Sequence, residues 1–285
     1  MYVSMIELMK DAYKNHYCIP ATAVENEHTV RACIMAAEEK NSPIILISLF
    51  KTNPDICEFG RIVKDIAMKS KVPVAMCQDH GGTYEEAMWA IHAGFTDIMV
   101  DRSTLPFEEN AAQVKELVKA AHAVGMGVEA ELGHVGIGDD GLGVFTIPSE
   151  AKKFVEETGV DALAVSIGTT HGQYKGTPHL KFDLLKELTD TLDLPLVLHG
   201  GSGTGDENLK KASTMGIAKL NLSNDLKRSA IRKLTSNPDL MGMGAYQMYP
   251  LLTEGYKEEV MRYMDITGST GKADNFKFWC IGCFD

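Results

Sequence analysis

Short apolar runs, many of them rich in β-branched residues, alternate along this chain with longer amphipathic segments. Eight of the runs have the length of strands, and their near-continuous apolar character is typical of strands that are covered on both faces. The predicted strands are Cys18–Ala23, Pro43–Ser48, Val72–Cys77, Phe95–Asp101, Gly127–Leu132, Ala162–Gly168, Leu194–His199 and Ile217–Leu222.

The longer segments have the spacing of apolar residues that is typical of helices packed against a sheet. Some carry helix start signals, such as Pro106 followed by Glu108 and Glu109. The predicted helices between the strands are Glu25–Lys40, Ile56–Ser70, Tyr84–Ala93, Pro106–Val124, Ser149–Thr158, Phe182–Leu192 and Asp206–Thr214. Further helices are predicted at Ile6–Asn15, Asn224–Thr235 and Leu251–Tyr263.

This alternation of strand and helix predicts parallel strands joined by helical crossovers. Eight such units in 285 residues favour an α/β fold of the closed (β/α)₈ TIM-barrel type over an open doubly wound sheet. No internal linker rich in Pro, Gly or Ser interrupts the pattern. We therefore expect a single barrel domain over residues 1–285, in which residues 235–285 form a helical C-terminal extension.

Charge and composition narrow the possible partners. Asp and Glu number 39 against 28 Lys and Arg, which gives a formal net charge of −11 and no clustered basic surface for nucleic acid. No apolar run reaches membrane-spanning length, and the N-terminus lacks the pattern of a signal peptide. The six cysteines are scattered, and the Cys280–Cys283 pair fits an ordinary tail better than a zinc or redox site. We expect a cytoplasmic protein that binds neither nucleic acid nor membrane.

Three histidines stand out because each directly precedes a glycine at the carboxyl end of a predicted strand. They are His80, His171 and His199, and Asp79 directly precedes the first of them. The carboxyl ends of barrel strands share one rim, where the reactive groups of such barrels lie. Three neutral imidazoles with an open fourth position suit catalytic Zn²⁺, and Co²⁺, Mn²⁺ or Fe²⁺ use the same donors. The other histidines considered fit ordinary structural or solvated roles: His16, His28, His92, His122 and His179.

A glycine-rich turn with a serine, Gly200–Gly203, follows the seventh predicted strand at once. Phosphate sites in barrels are often built from the loops after strands seven and eight. Backbone N–H groups of Gly201 and Ser202, with Asn221, Ser223 and Asn224 opposite, are suited to surround a phosphate. No Walker-type lysine pattern accompanies the turn, so the pattern does not indicate a nucleotide.

The joint set of motifs resembles the class II, zinc-dependent ketose-bisphosphate aldolases, most of all the tagatose- and fructose-bisphosphate aldolases. The resemblance runs from about Ser4 to about Tyr263. The motifs that carry it are Asp79-His80-Gly81, Glu129-Ala-Glu131-Leu-Gly133, Ile167-Gly-Thr-Thr-His171-Gly172-Gln-Tyr174-Lys175-Gly176, Leu198-His199-Gly-Gly-Ser-Gly203 and Lys219-Leu-Asn221.

The resemblance implies roles for individual residues. His80, His171 and His199 are expected to hold one catalytic zinc ion, with Glu131 as a nearby carboxylate or alternative ligand, and Asp79 is expected to transfer the proton of the C4 hydroxyl. A monovalent cation often assists near the phosphate in this family. The residues expected to hold dihydroxyacetone phosphate are Gly172, Gly200, Gly201, Ser202, Asn221, Leu222, Ser223 and Asn224.

The loop after the fifth strand departs from the family pattern. This loop usually carries the glutamate that protonates the enediolate carbon, whereas this chain offers only Asp139 and Asp140 in a shorter, glycine-rich segment. Either aspartate is a candidate for that second acid, and the glycines favour closure of the loop over substrate.

Other departures lie on the half of the rim that is expected to face the aldehyde. Thr22-Ala23 replaces a Phe-Asn pair, Cys77 replaces a histidine, and Phe50-Lys51 replaces a small corner. Arg102 replaces a small residue and is a candidate to bind an anionic group, as is Lys51 unless it is simply solvated. We therefore expect an intact zinc and dihydroxyacetone phosphate half, and reversible cleavage of a ketose (bis)phosphate of the fructose- or tagatose-bisphosphate type. The alternative, a different ketose 1-phosphate whose aldehyde product is not glyceraldehyde 3-phosphate, stays open.

Two other functions compete with that of an aldolase. A zinc hydrolase of the amidohydrolase kind needs a His-x-His pair at the end of the first strand, and the chain has none there. A non-catalytic partner of an active aldolase stays open, because the altered loop favours it while Asp79 and the histidine trio oppose it. The Met and aromatic residues of the tail favour a homodimer or homotetramer.

Overall fold

The computed structural model of the protein describes residues 1–53, 55–136, 143–172 and 174–280, the last four without their side chains. Within these ranges, the strands are β1 (Ile19–Ala23), β2 (Ile44–Ser48), β3 (Val74–Gly81), β4 (Asp97–Val100), β5 (Gly127–Leu132), β6 (Ala162–Val165), β7 (Leu196–Leu198) and β8 (Ile217–Leu222). The α-helices are α1 (Met5–Lys14), α2 (Glu27–Lys40), α3 (Ile56–Ala67), α4 (Tyr84–His92), α5 (Phe107–His122), α6 (Pro148–Thr158), α7 (Phe182–Thr191), α8 (Asp206–Thr214), α9 (Asn224–Thr235) and α10 (Ala245–Thr267). Two 3₁₀ helices cover Leu240–Gly242 and Lys272–Cys280.

The strands form one closed parallel barrel in sequence order. The barrel closes between β1 and β8, where Ala21 pairs with Asn221 and Thr22 pairs with Leu222. The predicted (β/α)₈ architecture is therefore confirmed. Because every strand runs in the same direction, the residues at the carboxyl ends of all eight strands meet on one rim.

Alternation along each strand divides the apolar core into two layers. On β2, Ile44 and Leu46 pack outward among the surrounding helices. Ile45 and Ile47 point into the barrel, in a second cluster that also contains Met5 of α1. Helix α1 thus packs against residues of the barrel interior, and its N-terminus is fixed by Asp97 of β4, which accepts hydrogen bonds from Ser4 and from the backbone of Met5.

Four strands differ from the sequence prediction at their carboxyl ends. Strand β3 runs on to Gly81, with an irregular register between Gln78 and Gly81 where it pairs with β4. Strands β4, β6 and β7 end earlier than predicted, at Val100, Val165 and Leu198. A strand ends where its hydrogen bonds to the neighbouring strands end. The apolar run that predicts the strand does not have to end at the same residue.

The C-terminal segment contains a longer helix than predicted, since α10 begins at Ala245 and includes Pro250. Pro250 lies in the second turn, where it removes one of the first i→i−4 hydrogen bonds of the helix. Helix α10 packs against α2 and α9, and the phenol of Tyr256 donates a hydrogen bond to the Ala23 carbonyl at the rim. The treatment of residues 1–285 as a single domain stays a prediction. No helix in the described part of the chain combines the length and apolar character that crossing a membrane requires.

Candidate active site

A cavity of about 340 Å³ opens at the carboxyl ends of the strands. It collects most of the residues that the sequence nominated, from the carboxyl ends of β3 and β8 and from the loops after β6, β7 and β8. The nominated residues that line it are Asp79, His80, His171, Gly172, Gly200, Gly201, Ser202, Asn221, Leu222, Ser223 and Asn224. His199 and Glu131 lie directly beside it in the barrel interior, at 0% and 1% exposure.

His80 is presented by an unusual backbone conformation near the end of β3. Its φ angle is +47°, in the left-handed region that few residues other than glycine adopt. The ring Nδ1 atom lies 2.7 Å from Oδ2 of Asp101, which follows β4. Burial alone would lower the pKa of His80, but the Asp79 charge and the hydrogen bond with Asp101 outweigh it and raise that pKa to about 9.

His199 follows β7 and is held from inside the barrel. Its Nε2 atom lies 2.9 Å from Oε1 of Glu129, and Oε2 of the same carboxylate accepts a 2.7 Å hydrogen bond from Lys219. Burial would raise the pKa of Glu129, but the Lys219 and His199 partners outweigh it and lower that pKa to about 2. The carboxylate is therefore ionised, and the other ring nitrogen of His199, Nδ1, lies 3.0 Å from Nε2 of His80.

The His171 ring completes a group of three imidazoles. Its centroid lies 5.0 Å from that of His80 and 5.7 Å from that of His199. Burial, followed by the neighbouring charges of His199 and His80, lowers the pKa of His171 to about 4. This ring is therefore neutral near pH 7, which is the state that binds a metal.

The three imidazoles fit a divalent metal ion. Each offers one nitrogen, and these nitrogens lie within 4.8 Å of one another. Oε2 of Glu131 is buried without a hydrogen-bond partner and lies 3.6 Å from His199 Nδ1. An orphaned buried carboxylate oxygen beside such nitrogens is expected where a cation belongs. His80, Asp101 and Glu131 form a second set of donors within the same distance limit.

Asp79 lies between this group and the cavity. Its side chain is 9% exposed, and Oδ1 accepts a 3.0 Å hydrogen bond from the Asn221 amide. The carboxylate is thus oriented by β8 while it stays open to the cavity, as a group that exchanges a proton with a substrate must be.

The glycine-rich turn after β7 is packed against its neighbours at two glycines. Gly200 has a φ of +69°, and a Cβ atom there would lie 2.3 Å from the Thr170 carbonyl oxygen. A Cβ atom on Gly201 would lie 2.5 Å from the Leu220 side chain. The Tyr174 hydroxyl lies 2.8 Å from the carbonyl oxygens of both Thr170 and Gly200, and joins the loops after β6 and β7.

The Gly201 N–H group, which was expected to face a phosphate, has a partner within the protein. This N–H group donates to the Asn221 carbonyl at 3.1 Å, so the register between the turn and β8 already uses it. Ser202 does lie at this corner, where its hydroxyl accepts hydrogen bonds from the backbone N–H groups of Ser223 and Asp225 at the start of α9. Two features of this corner suit an anion, namely the Ser202 hydroxyl and the N-terminus of α9.

Arg102 is not placed where the sequence suggested. It is 7% exposed and is not among the described residues that line the cavity. Its guanidinium donates to the backbone carbonyls of Gly81 and Asp101 and to Gln113. This geometry argues against a role for Arg102 in binding an anionic group, because its donors join the ends of β3 and β4 instead. Lys51 is exposed and does not line the cavity either.

The candidate second acids, Asp139 and Asp140, lie outside the described residues. The chain on either side of them is joined by two backbone hydrogen bonds between His134 and Val144, at 2.8 and 2.9 Å. The His134 ring also lies 3.0 Å from the Ser103 hydroxyl, which donates to Asp101.

Sequence reasoning gave no role to Asp101, Glu129, Lys219 or His134. Asp101 lies on the same rim as the nominated residues. The reasoning that nominated Asp79, a polar residue at the end of a predicted strand, therefore applies to Asp101 as well. Glu129 and Lys219 interrupt strands that otherwise read as apolar, and two opposite charges in strands covered on both faces indicate a buried ion pair. Both side chains are indeed buried, at 0% and 1% exposure.

Comparison with known proteins gives one consistent result. The family described as class II fructose-bisphosphate aldolase matches residues 3–272. A probable fructose-bisphosphate aldolase of Bacillus subtilis is 37% identical over 284 residues, covering 95% of this chain and 99% of the relative. A 6-phospho-5-dehydro-2-deoxy-D-gluconate aldolase of Bacillus licheniformis is also 37% identical, covering 95% and 97%. The crystal structure of the YdjI aldolase from Escherichia coli K12 is similar with a TM-score of 0.87 at 34% identity, covering 96% and 100%.

Proposed function

The chain belongs to the class II fructose-bisphosphate aldolase family, and from this premise we propose that it is a zinc-dependent enzyme that reversibly cleaves a ketose phosphate to dihydroxyacetone phosphate and an aldehyde. As an aldolase it is a carbon–carbon lyase. The observation that carries the proposal is the convergence of His80, His171 and His199 at a cavity that Asp79 also lines.

In this proposal His80, His171 and His199 hold the zinc ion, and Glu131 stands beside them as a further carboxylate. When bound, zinc supplies Lewis-acid chemistry that makes negative charge next to the ketone carbonyl tolerable. The chain's own contribution is to orient the rings. Asp101 fixes His80 from one side, and Glu129 fixes His199 from inside the barrel.

Asp79 is the group proposed to accept the C4 hydroxyl proton as the C3–C4 bond breaks and to return it in the condensation direction. Its support is its open face toward the cavity and its hydrogen bond from Asn221, which keeps Oδ1 occupied. The second acid, which protonates the carbon of the three-carbon fragment, is proposed to be Asp139 or Asp140.

The phosphate of dihydroxyacetone phosphate is proposed to lie at the corner formed by Gly172, Ser202 and the N-terminus of α9. Asn224 donates from that N-terminus to the Gly172 carbonyl at 3.1 Å, so the two loops are already joined there. The positive end of a helix that lies beside a serine hydroxyl favours a doubly charged phosphate. A monovalent cation near this corner is part of the proposal by analogy with the family.

The half of the cavity proposed to hold the aldehyde is lined differently from the corner proposed to hold the phosphate. Ala23, Val24 and Leu49 line it with apolar atoms. Lys227 is the one Lys or Arg among the described residues that line the cavity, and its ammonium is paired with Glu25. A second phosphate would have to compete with Glu25 for that ammonium. We therefore propose a substrate whose aldehyde product is not glyceraldehyde 3-phosphate.

The relatives do not decide this point, because proteins at the same 37% identity are named for fructose bisphosphate and for a deoxygluconate phosphate. Direct assay decides it. Cleavage of fructose 1-phosphate, fructose 1,6-bisphosphate and tagatose 1,6-bisphosphate is measured by trapping released dihydroxyacetone phosphate, before and after chelation and with Asp79→Ala as the control. Chelator-sensitive release supports the zinc aldolase. Equal or better turnover of either bisphosphate than of every other ketose phosphate contradicts the altered aldehyde half.

A charge variant sharpens that assay. Glu25→Gln releases Lys227, and we expect kcat/KM to shift toward the bisphosphates relative to fructose 1-phosphate by about tenfold. No shift in this ratio would mean that the Glu25–Lys227 pair does not face the substrate.

Location and assembly remain proposals. We propose a cytoplasmic enzyme that acts on small sugar phosphates and forms a homodimer or homotetramer. The support for assembly is the exposed apolar surface of the C-terminal segment, where Met241 is 97% and Tyr246 is 75% exposed.

A further inference from the structure

A buried ion pair crosses the interior of the barrel below the candidate metal site. Lys219 of β8 donates to Oε2 of Glu129 of β5 at 2.7 Å, and their side chains are 1% and 0% exposed. Removing two charges from water costs about as much as their attraction returns, so such a pair is weak support for stability. A function for it should therefore be sought in what else the two residues touch.

The carboxylate has a second partner. Oε1 of Glu129 lies 2.9 Å from Nε2 of His199. Lys219, Glu129 and His199 come from β8, β5 and the end of β7, and they form one chain of contacts that leads from the barrel interior to the rim.

The direction of each hydrogen bond in this chain follows from the donors and acceptors. The Lys219 ammonium can only donate, so Oε2 of Glu129 accepts. The ionised carboxylate can only accept at Oε1 as well, so the proton of the His199 ring belongs on Nε2. The Asn221 amide lies 3.3 Å from the same nitrogen, but a charged acceptor at 2.9 Å is the stronger partner.

With the proton on Nε2, the Nδ1 atom of His199 has a lone pair available to a metal ion. Nδ1 is also the atom that faces the other candidate metal-ligand atoms. It lies 3.0 Å from Nε2 of His80 and 3.6 Å from Oε2 of Glu131. We propose that Lys219 and Glu129 are positioning residues that fix His199 in the tautomer whose Nδ1 binds the metal. The inference rests on the metal site of the proposed function, but not on the cleavage of a sugar phosphate.

Lys219 orients either a carboxylate or an amide at position 129, because its ammonium attracts an oxygen atom of that side chain. In Glu129→Gln, the ammonium attracts the amide oxygen, so the amide NH₂ group must face His199. The ring then has to accept at Nε2 and carry its proton on Nδ1, where it blocks the metal. Although the substitution keeps size and shape, it reverses the tautomer.

The double variant Glu129→Gln with Lys219→Met should favour the opposite orientation of the amide. Without the ammonium, the amide can turn round and present its oxygen to His199. The tautomer that binds metal is then restored, although the ion pair is gone. A purely structural role of the pair predicts instead that the double variant is at least as impaired as the single one.

The test measures Zn²⁺ affinity by competition with a chromophoric chelator. We expect Glu129→Gln to bind Zn²⁺ about 10- to 100-fold more weakly than the unaltered chain, and the double variant to regain about tenfold of that loss. Unchanged affinity in the single variant, or no recovery in the double variant, would overturn the proposal.

The tautomer is also observable in the unaltered chain, so the proposal can be tested if the variants do not fold. Protein labelled with ¹⁵N-histidine and loaded with Zn²⁺ should show the His199 ring with its proton on Nε2 and its Nδ1 shifted by the metal. A proton on Nδ1, or a metal shift on Nε2, would contradict it. Neither measurement involves a sugar phosphate. A protein that passes both tests but releases no dihydroxyacetone phosphate would contradict the proposed function and leave this inference standing.

Discussion

Nε2 of His80 lies 3.0 Å from Nδ1 of His199, and each ring has a carboxylate bound to its other nitrogen. Asp101 holds the far side of His80, and Glu129 holds the far side of His199. Two ring nitrogens at this separation repel unless a proton or a metal ion lies between them. Carboxylates around the pair favour positive charge as well, because the Asp79 charge and the hydrogen bond with Asp101 outweigh burial and raise the pKa of His80 to about 9. The barrel thus holds two candidate metal ligands close together with fixed orientation.

Removal of zinc should therefore lower the thermal stability of the protein. A ligand present at one hundred times its Kd stabilises the folded state by about 2.7 kcal/mol, which for a chain of this size corresponds to a Tm change of about 5 °C. Differential scanning calorimetry before and after chelation, and again after Zn²⁺ is added back, measures this change. His171→Ala should abolish the response to Zn²⁺, whereas His92→Gln, at an exposed position, should keep it. Equal Tm values with and without zinc would contradict the metal site.

Asp79→Asn should separate proton transfer from metal binding. The substitution keeps the shape of a side chain that accepts a hydrogen bond from Asn221, but it removes the basic oxygen. Loss of a general acid/base costs about 10²- to 10⁴-fold in rate, so kcat for cleavage should fall by that factor in protein that still binds Zn²⁺. A fall of less than tenfold in kcat would assign the proton to another group.

The sequence predicted the architecture and most of the rim because both follow from local patterns. Buried parallel strands read as apolar runs, and the ends of those runs place His80, His171 and His199 on one rim. The closed barrel then brings residues that are far apart in sequence into one cavity.

The direction of side chains could not be predicted in this way. Arg102 lies just beyond β4, on the expected rim, yet its guanidinium turns to the Gly81 carbonyl. The Gly201 N–H group was expected to face a ligand, and it pairs with Asn221 instead. Both outcomes depend on which partner another strand offers at that point, and a single-sequence pattern does not contain that information.

The buried charges were missed for a related reason. Glu129 and Lys219 lie 90 positions apart, and the order of strands within the barrel does not specify which residues meet across its interior. The apolar pattern marks each of them as an exception, but only the three-dimensional structure pairs them.

Gly200→Ala should disturb the turn after β7. The new Cβ atom would lie 2.3 Å from the Thr170 carbonyl oxygen, at a φ of +69°, and a left-handed backbone with a clash of this kind costs about 2 kcal/mol or more. We expect a lower Tm and a higher KM for the phosphorylated substrate, because the turn carries Ser202. Gly176→Ala is the matched control, since a Cβ atom there meets nothing within 4 Å. Equal effects of the two substitutions would argue against a packed turn.

Asp97 should make the stability of the barrel depend on pH at the end opposite the active site. Burial raises the pKa of this carboxyl from 3.8 to about 6, against the opposing hydrogen bond from Met5. Because the folded state then holds the proton more tightly than the unfolded chain, this contribution to stability is complete below about pH 4 and is lost as pH rises through about 6. The loss amounts to about 3 kcal/mol for a shift of this size.

The asparagine variant of this residue mimics the protonated carboxyl at every pH. The free energy of unfolding of Asp97→Asn, measured with urea between pH 4 and pH 7, should therefore fall less with rising pH than that of the unaltered chain. Asp183→Asn, at an exposed position in the first turn of α7, is the control for a change of one charge and should leave the pH dependence as it is. Parallel curves for the unaltered chain and Asp97→Asn would mean that Ser4 and the N-terminus of α1 stabilise the ionised carboxylate as well as water does.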